Sequence, residues 1–103
     1  MFQEKAFSLV AQERLKQTQK WGIQDHELPV WVSILTEEVG EFSEAVLHSI
    51  FGGKESENVK AEIIQVAAVA IQIIEHLERL EASKHRPTQP VGRAVDNDGD
   101  YPL

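Results

Sequence analysis

Two short acidic blocks carry the residues best suited to chemistry. Glu37, Glu38 and Glu41 fall within five residues, inside a run that otherwise reads as an apolar helix. Glu62 and Gln65 stand one turn apart in the most hydrophobic part of the chain. Residues three or four apart share a helix face, so Glu38 can converge with Glu41, and Glu62 with Gln65. Two such pairs on neighbouring helices give three carboxylates and an amide oxygen around one point. These are hard oxygen donors, suited to Mg²⁺ or Mn²⁺ and not to zinc, which favours nitrogen and sulfur. Like charges held so close repel one another, and a bound cation accounts for their coexistence. The competing account is a glutamate-rich face turned to solvent.

The elements that must position these blocks are three helices. Residues from about Phe2 to Lys20 place Phe2, Ala6, Leu9 and Val10 at helical spacing, with no proline or glycine between them. The same face continues into Glu13 and Gln17, either because the helix end emerges into solvent or because it enters a site. Gly22 and Pro29 break the chain into a loop that carries Gln24 and His26 and is flanked by Trp21 and Trp31. For both tryptophans packing competes with any role in binding.

A second helix is expected from about Pro29 or Val30 to His48 or Phe51, since proline suits a first turn and Gly52-Gly53 a helix end. Val32, Leu35, Val39, Phe42, Val46 and Ile50 form one apolar stripe on it, with Glu38 at the edge of the stripe and Glu37 and Glu44 pointing more nearly away. Gly40 at mid-helix suggests close approach by another helix or a ligand, or simple tolerance. The polar connection Gly52–Asn58 does not have P-loop spacing, and offers Lys54 as a phosphate contact.

The third helix is expected from about Val59 to Ala82. It is apolar nearly all round from Ile63 to Ile74, which marks a buried central helix. One seam interrupts it: Glu62, Gln65, Val69, Gln72 and His76 repeat at alternating steps of three and four, and polar groups on a seam need partners. Three helices in so short a chain cannot easily bury such an element, so a partner chain is expected to complete the packing. After Ser83 the periodicity ends and prolines and glycines recur, which divides the chain into a helical domain over 1–83 and an extended or disordered tail over 84–103. Asp96-Asn97-Asp98-Gly99-Asp100 in that tail superficially resembles a calcium-binding loop. It lacks the bidentate glutamate and following helix such a loop requires, and reads as a solvated acidic segment.

Composition narrows the function classes. With 103 residues the chain suits one domain. The absence of cysteine excludes a disulfide framework and thiolate metal sites, and agrees with a reducing cytosol. A formal net charge of -7 makes the chain a poor generic binder of nucleic acid. It leaves room for a small anionic ligand, because a metal ion inverts the local field. The opening Met1–Lys5 lacks a basic start followed by an apolar run, and the stretch from Val66 to Ile74 is too short to span a bilayer. A cytoplasmic protein without a membrane partner is expected.

The series Lys20-Trp21-Gly22-x-Gln24-x-His26, then Trp31, then Glu37-Glu38-x-x-Glu41, then Glu62-x-x-Gln65-Val66-Ala67-Ala68-Val69-Ala70 resembles the MazG-like family of all-α nucleoside triphosphate pyrophosphatases. The resemblance covers roughly Glu13 to Leu80. It implies an all-α, MazG-like helical bundle, with a four-helix-type core completed by oligomerisation into a homodimer or homotetramer. It implies Mg²⁺-dependent hydrolysis of an NTP or dNTP to the monophosphate and pyrophosphate, in the housekeeping of nucleotide pools. Carried over by position, Glu38, Glu41 and Glu62 are ligands, and Glu37 is a ligand or a base that orients water. Where the family's second motif ends in aspartate this chain has Gln65, which can still ligate through its carbonyl but brings no charge.

From these readings Glu37 or Glu38 is expected to accept the proton from the attacking water. Arg14, Lys16, Lys20 or Lys54 are candidates to meet phosphate oxygens. Trp21 or Trp31 is a candidate to stack on the base, with Gln24 or His26 reading its edge and Gln17 on the face that leads into the site. The alternative is a non-catalytic helical module that binds nucleotides or a protein partner, and Gln65 is the residue that favours it. A related pyrophosphatase acting on a phosphoribosyl nucleotide is a third option.

Overall fold

The computed structural model describes residues 1–84, and all the regular structure among them is helical. Helix α1 spans Phe2–Trp21, α2 spans Leu28–Phe51 and α3 spans Val59–Lys84. The punctuation read from the sequence sets these limits. Gly22 ends α1 at φ 75 and ψ -171, a conformation open in practice only to glycine, and its N–H caps Thr18 O. Pro29 sits in the first turn of α2, and Gly52 ends that helix at φ 93. Lys84 is still helical, and the rest of the tail expected from residue 84, with its Asp96–Asp100 segment, lies outside the described residues.

The three helices run up, down and up. Trp31, early in α2, meets His76, late in α3, whereas Glu41 further along α2 approaches Glu62 near the start of α3, so these two helices are antiparallel. Helix α1 runs alongside α3 in the same direction: Leu9 and Gln12 lie near Ala61 and Ile64, and Gln17 bonds Gln72. Both α1 and α2 pack on α3 and not on each other. The third helix is therefore central, as its composition requires.

The face that α2 turns to α3 is not the apolar stripe expected from its sequence. Trp31 and Ala45 are the buried residues of α2, and Glu38 lies midway between them at seven-residue spacing on the same line. Of the expected stripe, Leu35, Phe42 and Val46 are half-buried, and Val32, Val39 and Ile50 are exposed. Helix α2 thus has two apolar faces, and the chain's own α3 covers the one that carries Glu38. On α3 the buried residues are Ala68, Val69 and His76, so the polar seam does point inward. Ile63, Ile71 and Ile74 of α3 and Phe2, Phe7 and Leu15 of α1 are exposed. Many large apolar side chains thus lie outside a small core, more than scattered surface exposure accounts for.

Candidate metal centre

The site is built from one line on each of two helices. Helix α2 presents Glu38 and Glu41 one turn apart, and α3 presents Glu62 from the start of its inward seam. One carboxylate oxygen from each of the three lies within 4.8 Å of the others. Glu38 and Glu62 are half-buried, and Glu41 is exposed at the rim. The Oε1 atoms of Glu38 and Glu62 are shut off from solvent and have no hydrogen-bond partner. A buried polar atom left in that state costs free energy.

Electrostatics point the same way. Burial pushes the Glu38 carboxyl above its ordinary range, and the charges of Glu41, Glu62, Glu37 and Glu13 push it further. Burial raises Glu62 as well, followed by the charges of Glu41 and Glu55. A cation placed among the three carboxylates would reverse both causes, by pairing the orphaned oxygens and cancelling the repulsion. The donor set is all oxygen and carries three negative charges, which fits a hard divalent ion.

The other expected residues separate into groups. Glu37 is exposed, outside the cluster but close enough for its charge to act on Glu38. Gln65 is half-buried in the wall of a groove of about 280 Å³ between α1 and α3, lined by Leu9, Gln12, Glu13, Lys16, Ala61 and Ile64. Lys16, exposed, is the one cation that lines this groove, and none of the three clustered carboxylates lines it. Arg14 is committed elsewhere: its guanidinium grips the Glu75 carboxylate, donating from Nε at 3.3 Å and more closely from Nη2. Gln17 accepts a hydrogen bond from Gln72 at 2.7 Å. Lys20 lies over the Trp21 ring, 4.8 Å from its centre, and Lys54 is exposed in the α2–α3 turn.

The two tryptophans divide as well. Trp31 is 1% exposed, with His26 packed edge-on at 4.8 Å and His76 at 6.0 Å, so packing claims its faces. Trp21 is 59% exposed and keeps a face available for stacking. Gln24 is half-buried, and its carbonyl accepts a hydrogen bond from Arg79.

Two relationships carry little signal in the sequence. Asp25 is one polar residue among several in a loop, yet its Oδ1 accepts hydrogen bonds from His76 Nδ1 and Arg79 Nη2, each at 3.0 Å. His76 stood on the polar seam, so its need of a partner was visible, though the partner's identity was not. Glu13 was visible only as a polar continuation of an apolar face, and it proves to line the groove and to add its charge at Glu38. No family model, no curated protein and no solved structure matches the chain.

Proposed function

We propose that this chain is a Mg²⁺-dependent nucleoside triphosphate pyrophosphatase of MazG-like type, cleaving an NTP or dNTP to the monophosphate and pyrophosphate. The observation that carries the reading is the convergence of Glu38, Glu41 and Glu62 within 4.8 Å, with two of their oxygens buried and unpartnered. A surface acidic patch has no reason to bury oxygens in that state. The resemblance of the motif series supplies the reaction, and the convergence of the three carboxylates from two helices supports a divalent site.

In this reading Glu38, Glu41 and Glu62 hold Mg²⁺, with Mn²⁺ a substitute of the same ligand preference. The ion supplies neutralisation of the charge that develops on the triphosphate and the departing pyrophosphate. Glu37, exposed and next to Glu38, is the carboxylate free to take the proton from the attacking water. Lys16 meets phosphate oxygens in the α1–α3 groove, while Arg14, bound to Glu75, holds the two helices together. Trp21 offers its open face to the base, and Gln24 and His26 lie in the adjoining loop.

The same reading includes a second copy of the chain. The exposed side chains of Val32, Val39 and Ile50 continue a stripe that Leu35, Phe42 and Val46 already half-bury. A homodimer across this face, or a tetramer built from such dimers, completes a four-helix-type core.

Incubation of the purified protein with dNTPs and Mg²⁺, with separation of the products, tests the function. Monophosphate and pyrophosphate in equal amounts are expected, and Glu38→Gln or Glu41→Gln should abolish turnover. Release of single phosphates would move the scissile bond and refute the pyrophosphatase reading. A second reading is favoured by Gln65, which leaves the site one carboxylate short of the family pattern: a module that binds nucleotides and does not hydrolyse them. Mg²⁺-dependent nucleotide binding without turnover would select it.

A further inference from the structure

The loop between α1 and α2 is fastened to the far end of α3 by a set of contacts that the metal chemistry does not use. The Asp25 carboxylate accepts from His76 Nδ1 at 3.0 Å and from Arg79 through Nη2 at 3.0 Å and Nε at 3.3 Å. Arg79 Nη2 also donates to the Gln24 carbonyl at 3.2 Å. Two consecutive loop residues are therefore pinned to the last turns of α3. Since a carboxylate only accepts, Nδ1 of His76 must carry a proton. These hydrogen bonds, from His76 first and then Arg79, hold the Asp25 carboxyl below its usual range.

His76 is the unexpected member. It is 6% exposed, ends the inward seam two turns beyond Ala68–Val69, and packs against the fully buried Trp31. A leucine there would fill the same space without the cost of burying a polar ring. An exposed ion pair such as Asp25–Arg79 adds little stability by itself. What an imidazole adds is direction: one hydrogen bond of fixed length from a rigid helix to a mobile class of element. The ring then closes on itself. His76 sets Trp31, the edge of His26 rests on Trp31 with the planes at 77°, and His26 adjoins Asp25 in the loop.

We propose that Asp25, His76 and Arg79 form a clasp that pre-organises the loop over residues 22–27 for recognition of the nucleobase, with all three acting as positioning residues. The proposal rests on the pyrophosphatase reading above for the identity of the ligand. The clasp is remote from the carboxylates: His76 lies fourteen residues beyond Glu62 on α3, about 21 Å along the axis. Glu27, where the loop ends, lies eleven residues before Glu38, about 16 Å along α2, a span that a nucleoside triphosphate and the side chains holding its two ends can bridge. A loop already held in place loses less freedom when the base binds, and the gain falls on affinity for the base-bearing ligand. Neither the metal nor the phosphate tail shares in it.

Two measurements on the full chain test this. The first is backbone ¹⁵N relaxation in the ligand-free protein. Asp25→Asn, with Arg79→Met as a second variant, should lower the order parameters over residues 22–27 and leave α2 and α3 as they were. Unchanged loop order parameters in both variants sink the clasp, whatever the enzyme does. The second compares a dNTP with inorganic tripolyphosphate, which has the phosphates and no base. In the variants KM for the dNTP should rise about tenfold with kcat within about twofold, while the tripolyphosphate inhibition constant and Mn²⁺ affinity stay fixed. An equal rise for both ligands, or none for the dNTP, overturns the recognition role. A wild-type protein with an ordered loop that neither binds nor turns over a dNTP refutes the pyrophosphatase reading and the recognition role together, whereas dNTP binding without turnover, weakened in the variants, refutes the first and keeps the second.

Discussion

Glu38 of α2 and Glu62 of α3 approach each other from antiparallel helices, and each keeps one carboxylate oxygen buried and unpaired. Both carboxyls are raised above their ordinary range, first by burial and then by neighbouring carboxylates. In the metal-free protein this pair opposes folding at neutral pH. A raised carboxyl means that the folded state holds more protons than the unfolded state between the two pKa values. Stability therefore falls as pH rises from the ordinary glutamate value of 4.5 through the folded values, and recovers as pH falls. Asp25 has the opposite sign: its contribution is present above 3.8 and is lost as pH falls through its lowered folded value.

The first prediction follows from that opposition. Without metal, Glu38→Gln should raise the thermal midpoint at pH 7 by a few degrees, on the order of 3 °C after allowance for solvent screening. The difference from wild type should shrink as the pH approaches 4.5. With saturating Mg²⁺ the order should invert, because the wild type gains binding energy that the variant lacks. Differential scanning fluorimetry across pH, with and without Mg²⁺, reads all three. A variant less stable than wild type in metal-free buffer at pH 7 contradicts the account of the strained pair.

Trp31 anchors the opposite end of the α2–α3 contact, and it is the largest fully buried side chain among the described residues. Trp31→Ala should cost about 3–5 kcal/mol. Small domains have little more than that in reserve, so the variant is expected to be largely unfolded by circular dichroism at 37 °C. Trp31→Phe keeps an aromatic partner for His26 and His76 and removes an indole N–H that has no partner, so it should cost far less. Similar losses in the two variants would show that indole shape, and not burial, is what the site requires.

Two lysine and arginine candidates for the phosphates can be told apart. Arg14 is half-buried in a fork with Glu75, and Lys16 opens into the α1–α3 groove next to Gln65. Arg14→Ala should lower stability by about 1–2 kcal/mol in urea unfolding, because it leaves Glu75 unpaired and loosens α1. Lys16→Ala should leave the urea midpoint unchanged and weaken tripolyphosphate binding several-fold, more so at low salt. Loss of tripolyphosphate binding in Arg14→Ala alone would reverse the assignment.

The helices and the acidic cluster were legible in the sequence for local reasons. Gly22, Pro29 and Gly52 stop and start helices through their own backbone preferences, and they mark the boundaries to within a few residues. Glu38, Glu41 and Glu62 were legible because spacing along a helix fixes which side chains share a face. The facing of α2 was not. Periodicity shows that an apolar stripe exists and is silent on what covers it. Here Val32, Val39 and Ile50 compete with the line through Trp31, Glu38 and Ala45, which α3 takes. The clasp was beyond reach for a related reason. Asp25 and His76 are 51 residues apart, and only the docking of the loop on α3 brings them together.

The uncovered stripe yields the last prediction. Val39 stands next to Glu38 in sequence, and its side chain is exposed. If a second copy covers this face, Val39→Glu places a charge in an apolar interface and Val32→Glu does the same about two turns away. Either change should convert the protein to monomers in size-exclusion chromatography with light scattering. Neither should unfold the three-helix unit, since both side chains are exposed in the single chain. Activity should fall with the dimer, because α2 carries Glu38 and Glu41, and loss of its outer support frees both to move. A wild-type protein that is monomeric at micromolar concentration, with full turnover, would show that one copy suffices for the site.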